Sequence, residues 1–188
     1  MPRIPGVDHQ DAVRALQKAG FRIARQGKHI VMTDGVRIIT IPRHNPVNAF
    51  TMGGNATRLF ITRLGDRAVV SPQNPLVIQP RSEPQPDLLL LRPRAVSYSR
   101  EYATPADVLL AVEVADATVR FDRLVKARLY ARASIPEFWL FLTADASVEV
   151  YRAPGADGYA SVTAHGSGQI LSPLAFPAVG FAVTEFFA

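Results

Sequence analysis

The 188-residue chain contains no cysteine. That absence excludes a disulfide framework and any cysteine-ligated zinc or iron–sulfur site. No run of about 18 apolar residues occurs, so no membrane-spanning helix is expected. The opening residues, MPRIPGVDHQDAVRA, are charged and broken by prolines, unlike a secretory signal. The expectation is a cytoplasmic protein with no membrane association. Internal repeats and low-complexity tracts are also missing. What is present suits a globular chain: 48% hydrophobic and 20% charged residues. The length allows one medium domain or two small ones, with a sizeable core.

Charge is unevenly placed. Residues 1–55 hold eight Lys/Arg against three Asp/Glu, a net of +5, while residues 56–188 hold thirteen of each. The whole excess of positive charge lies in the first third, which points to a polyanion partner or to a solubilising basic surface.

Apolar spacing predicts a helix over 8–20, capped by Asp8 and stopped by Gly20. FRIARQ and KHIVMTD alternate as a hairpin about Gly27, and the DG pair at 34–35 turns into a third strand, VRIITIP. A helix follows over 48–65. Beyond it, strands are expected at 67–71, 76–79, 87–92, 108–115, 137–143, 147–152 and 159–164, with one helix over 119–133. VLLAVEV is too continuously apolar for a sheet wetted on one face, so it reads as a central strand covered on both sides. Trp139, in the aromatic-rich IPEFWLFL, reads as packing.

In the first segment, a proline-rich start, KAGF at the helix end, a Gly-x-His hairpin and TIPRH occur together. Residues 1–54 thereby resemble the HicA family of toxin–antitoxin systems. The resemblance implies an α-β-β-β(-α) unit like a double-stranded-RNA-binding fold and a metal-free mRNA interferase. It further implies His29 as the catalytic histidine and a HicB-type antitoxin as partner. A histidine can move a proton near neutral pH, and RNA carries its own nucleophile in the 2′-OH. Arg22, Arg25, Lys28 and Arg43 lie on or beside the same strands, where they can hold phosphates. The plain alternative is an exposed hairpin histidine among solvated cations.

In the second segment, Asp87 follows Pro86 and opens the apolar run LLLL, and Glu113 sits inside VLLAVEV. A buried carboxylate is costly unless it is paired, hydrogen-bonded or bound to a cation. Two carboxylates on adjacent strands repel unless a divalent ion bridges them. Mg²⁺ is held by one or two carboxylates with waters and substrate phosphate. Lys126 is the single lysine among the thirteen basic residues of 56–188, and lysine suits water activation better than arginine. Structural readings stand beside these: Asp87 as a turn residue, Glu113 as a hydrogen-bonded core carboxylate, and Lys126 as an i,i+4 partner of Asp122 worth about 0.3–0.5 kcal/mol at a surface. Gln73 either lines the same site or makes a hydrogen bond across its loop.

LGDRAVVSPQNPL, SEPQPDLLLLRPR, TPADVLLAVEVADATVRFDRLVKARLYARASIPEFWL and LSPLAFPAVGFAVTEFF resemble the Uma family of restriction-endonuclease-like proteins, of the PD-(D/E)XK nuclease superfamily. The resemblance covers residues 56–188 and implies an α/β unit with a mixed central sheet. It implies Asp87 and Glu113 as ligands of Mg²⁺ or Mn²⁺. The superfamily lysine stands two residues after the glutamate, where this chain has Ala115. The family places its lysine at Lys126. The two resemblances meet at TMGGNATRLFITRLG, so the chain reads as a fusion. Its parts are a basic unit, 1–54, a shared helix, 55–66, and an endonuclease-like unit, 67–188. The expected function is metal-dependent phosphodiester hydrolysis of DNA, with a homodimer as the pairing for cutting both strands. The alternatives are a metal-free RNase using His29 and a non-catalytic nucleic-acid- or antitoxin-binding protein.

Overall fold

A computed structural model of the chain describes residues 9–26, 29–42, 54–80, 82–115 and 119–187. The first elements are α1 (His9–Lys18), β1 (Arg22–Gln26), β2 (His29–Thr33) and β3 (Ile38–Pro42). The three strands form an antiparallel sheet in chain order. Two glycines set its geometry: Gly20 leaves α1 at φ +89° and Gly35 turns β2 into β3 at φ +100°, values that side chains with a Cβ rarely tolerate. The next helix is α2 (Asn55–Leu64); the first part of its expected span, 48–53, lies outside the described residues. The element order α-β-β-β-α is the one expected.

The second sheet has six strands in chain order: β4 (Val69–Pro72), β5 (Leu88–Leu91), β6 (Val108–Ala115), β7 (Glu137–Leu142), β8 (Ser147–Gly155) and β9 (Gly158–His165). β6 and β7 run parallel and every other neighbouring pair antiparallel. The parallel step needs a crossover, which a helical segment, α3, supplies. It comprises an α-helical turn at Val119–Phe121, a π-helical turn at Asp122–Lys126 and an α-helix at Ala127–Arg132. The chain closes with β10 (Ile170–Leu171), β11 (Phe181–Ala182) and α4 (Val183–Phe186). No helix among the described residues is long and apolar enough to cross a membrane.

Both faces of the central sheet are covered, which is why β6 has no wet face. Even-numbered residues Leu110 and Val112 of β6 join Trp139 and Phe141 of β7, and Phe60, Phe181 and Phe186 pack over them. Odd-numbered Ala111 and Ala115 join Phe138 and Leu140, under Ala127 and Tyr130 of α3. Trp139 is a packing residue, fully buried and 6.0 Å from the Phe60 ring. One expected strand does not form. Residues 76–79 make only isolated bridges, Leu76 to Ala103 and Ile78 to Ser82. Pro75 and Pro80 flank them, and proline cannot donate to a ladder. Leu76 is fully buried, so its apolar character serves the core rather than a sheet.

The three-stranded sheet is sandwiched. Ile30, Met32 and Ile41 face α1 around Ala12. Val31 and Ile38, on the other face, enter the same apolar cluster as Leu89, Leu91 and Tyr98 of the second sheet's surroundings. Arg25 also lies over the Tyr102 ring, 4.2 Å from its centroid. Burial of this kind across the two sheets couples their stabilities. Ile38→Ala should therefore lower the stability of the whole chain by about 2–5 kcal/mol. Circular dichroism and the fluorescence of Trp139 should report one shared, shifted transition. An early transition that leaves the Trp139 signal untouched would show a first unit that folds alone.

Candidate functional site

Leu88 of β5 pairs with Val112 of β6. One further step along this antiparallel register sets Asp87 opposite Glu113, on the same face of the sheet. The Val114 N–H donates to Asp87 Oδ2 at 2.8 Å. A side chain thus closes the end of the ladder, where a backbone carbonyl would otherwise be needed. Asp87 is partly exposed, whereas Glu113 is 1% exposed. The parallel register continues the row inward, with Glu113 beside Leu140.

The third side comes from α3. Asp122, Lys126 and Tyr130 recur every four residues, which keeps them on one helix face. Lys126 Nζ lies 2.8 Å from Glu113 Oε2 and 3.1 Å from Asp122 Oδ1. The Tyr130 hydroxyl donates to Glu113 Oε1 at 2.6 Å. Both carboxylates and the tyrosine are buried, while the Lys126 side chain is 26% exposed. The ammonium therefore marks the edge of the site that solvent can reach. The π-helical turn spans Asp122–Lys126; single π-turns inside α-helices recur at functional sites.

Burial, with the nearby charge of Asp87, pushes the Glu113 carboxyl up to about 7, against the pull of Lys126 and Tyr130. Burial pulls the Lys126 ammonium down, but Glu113 and Asp122 outweigh it and hold it above the ordinary lysine range. Burial and the Glu113 charge push the Tyr130 hydroxyl up, so it stays a donor. A cleft of about 30 Å³ opens beside Asp87, lined by Gly54, Ala56, Thr57, Gln73 and Val114 among others. Gln73 holds φ at +48° and donates its N–H to the Asp87 carbonyl at 3.2 Å. Gln73 lines the cleft, and this bond is a backbone one that carries the β4–β5 ladder a step past the Pro72–Leu88 pair.

Asp87, Glu113 and Lys126 thus lie together at one end of the sheet. The predicted Asp122–Lys126 pair also forms, but Asp122 is 1% exposed, so this is no surface pair. Tyr130 was missed, although its four-residue spacing from Lys126 was there to be read. His29 contributes its backbone to β2; its side chain, Lys28 and Arg43 lie outside the described residues. Arg22 is exposed on β1, and Arg25 is stacked on Tyr102. Among the described residues, no hydrogen bond or ion pair joins Arg22 or Arg25 to Asp87 or Glu113.

A mixed six-stranded sheet crossed by a helix, with an acid pair and a lysine at one end, has the layout of a restriction-endonuclease-like fold. The solved structures include a likeness: a protein from Anabaena variabilis described as a putative nuclease belonging to DUF820, with a TM-score of 0.52 and 12% identity. The alignment covers 80% of this chain and 85% of that one. The sequence profile of the Uma2 family, described as putative restriction endonuclease, matches residues 16–184. The chain belongs to this family. The match takes in most of the stretch that resembled a HicA toxin, so the three-stranded sheet falls inside it together with the central sheet. None of these matches supports the toxin resemblance. No curated protein matches the chain.

The Glu113 shift has a consequence for stability. Its carboxyl rises from 4.5 to about 7 on folding, so the folded state binds the proton more tightly than the unfolded chain. The stabilisation is fully present below about pH 4.5 and is lost as pH climbs through about 7, by on the order of 3 kcal/mol. Depressed acids such as Asp107 act in the opposite sense at lower pH, so the comparison is with Glu113→Gln. In metal-free buffer, the unfolding free energy of the wild type minus that of the variant should fall across this window and stay level on either side. A difference independent of pH would contradict the assignment.

Proposed function

We propose that the chain is a divalent-metal-dependent nuclease that hydrolyses phosphodiester bonds of DNA. The observation that carries this reading is the placement of Asp87 opposite Glu113, with the Lys126 ammonium 2.8 Å from Glu113 Oε2. A scaffold gains nothing from two carboxylates whose charges oppose each other. A cation site does.

The donor set fits a hard divalent ion. It is all oxygen and consists of two carboxylates; among the described residues no group of three or more His, Cys, Asp or Glu side chains is placed to hold a metal ion. Two carboxylates, with the remaining positions left to water and substrate phosphate, are typical of Mg²⁺, and Mn²⁺ accepts the same ligands. When bound, such an ion supplies charge stabilisation at the reacting phosphate. The chain's own groups then have distinct tasks. The Val114 N–H fixes Asp87 and the Tyr130 hydroxyl fixes the plane of the Glu113 carboxylate. Lys126, held protonated, donates a hydrogen bond; it orients the attacking water or a phosphate oxygen and does not act as a base. Arg22, exposed on β1, is available to the nucleic-acid backbone.

The test is cleavage of plasmid DNA and of RNA, with Mg²⁺ and with EDTA. DNA cleavage should require Mg²⁺. Asp87→Asn, Glu113→Gln and Lys126→Ala should each slow it by on the order of a hundredfold or more. RNA cleavage that resists EDTA, survives Glu113→Gln and is lost in His29→Ala would instead identify a metal-free RNase. Absence of cleavage of either polymer would favour a non-catalytic binding protein.

A further inference from the structure

Asp122 has no task in that chemistry, yet its carboxylate is 1% exposed and lies 3.1 Å from Lys126 Nζ. It opens the π-helical turn that Lys126 ends. The ammonium is thus shared between two buried carboxylates, one on the sheet and one on its own helix. On the sheet side it occupies Glu113 Oε2, while the Tyr130 hydroxyl occupies Oε1. Both oxygens of Glu113 are engaged before any ion arrives.

We propose that Asp122 is a positioning residue that gives Lys126 a second seat, to which the ammonium withdraws when a divalent ion takes Glu113. The inference rests on Glu113 being a metal ligand. A divalent ion and an ammonium on the same oxygen repel strongly in a half-buried site. Without Asp122, the displaced ammonium would be left in a poorly hydrated place or remain and oppose the ion. Asp122 lies already within ion-pair distance, so Lys126 yields Glu113 without losing a partner and stays beside the reacting phosphate. Lys126 serves in the meantime as an internal counter-cation, neutralising Glu113 until the ion binds. Asp122 sets how readily it gives way.

The experiment is calorimetric titration of the full chain with Mn²⁺, the binding lost in Glu113→Gln defining the site. Lys126→Gln removes the competing cation and should tighten Mn²⁺ by roughly tenfold. Asp122→Asn should weaken Mn²⁺ by roughly tenfold when Lys126 is present and change it little in the Lys126→Gln background. A merely structural Asp122 would weaken binding equally in both backgrounds, and that outcome overturns the proposal, as does Asp122→Asn leaving Mn²⁺ affinity unchanged in the wild type. Thermal melts in the same buffer show that each variant is folded; should Lys126→Gln melt below the assay temperature, Lys126→Met takes its place. Failure to find any Glu113-dependent Mn²⁺ binding overturns the metal-site reading itself, and the second seat with it. Glu113-dependent binding without the predicted coupling overturns the second seat alone.

Discussion

A carboxylate inside a dry central strand is the constraint around which this molecule is arranged. β6 lies third of six strands and is covered on both faces, so Glu113 cannot keep its hydration. It has to be met by donors from the protein. The neighbouring strand offers a comparison. Glu137 on β7 is also fully buried, on the opposite face. It receives Trp139 Nε1 at 2.9 Å, the Arg152 guanidinium at 2.6 Å and the Leu174 N–H at 2.6 Å. That carboxylate is tied to the sheet, to β8 and to the closing loop, and its partner across the strand pair is the cationic Arg152. Glu113 differs on this one point: Asp87 stands opposite. Two buried glutamates on adjacent strands thus divide between holding the fold together and holding an unresolved repulsion.

The helix supplies what the strand cannot. Ala115 occupies the next position on the Glu113 face and is buried with Ala127 in the layer between sheet and helix. Small side chains in that layer let α3 lie close enough for Lys126 to reach down to Glu113. A lysine at 115 would have to displace this packing, so the cation comes from the opposite layer instead. The π-turn fits the same need, because it sets Asp122 and Lys126 over the sheet end just where the α-helical stretch begins to bury Tyr130.

How much of this was written in the sequence depended on the kind of signal. The run VLLAVEVA gave the bounds of β6 directly, because an unbroken aliphatic strand with a single charge has few other uses. Asp87, Glu113 and Lys126 could be picked out as residue types out of place in their local pattern. Residues 76–79 misled for the converse reason: Leu76 and Ile78 have strand-like side chains, but the flanking prolines deny them a ladder. Asp122 was legible as a partner of Lys126 but not as a buried one, since burial of a helix face depends on how the crossover settles on the sheet. The π-turn has no residue signature at all. The packing of Val31 and Ile38 against Leu89 and Leu91 was equally hidden, because each side of that contact reads as an ordinary apolar strand face.

On the proposed reading, the charges of the site also explain why a lysine does not suffice. Asp87, Glu113 and Asp122 set three carboxylates against one ammonium, a balance of −2 when all are ionised. A DNA phosphate approaching such a place meets repulsion in a medium that screens it poorly. A raised carboxyl on Glu113 removes part of that charge, but a protonated glutamate is a poor ligand. On the proposed reading a divalent ion cancels the balance without neutralising any ligand, and the phosphate then meets a neutral site with an ammonium at its rim. The ammonium of Lys126 is the provisional answer to that deficit of positive charge. On the same reading the ion would take its place on Glu113, and the carboxylate buried in β6 would stay ionised and paired.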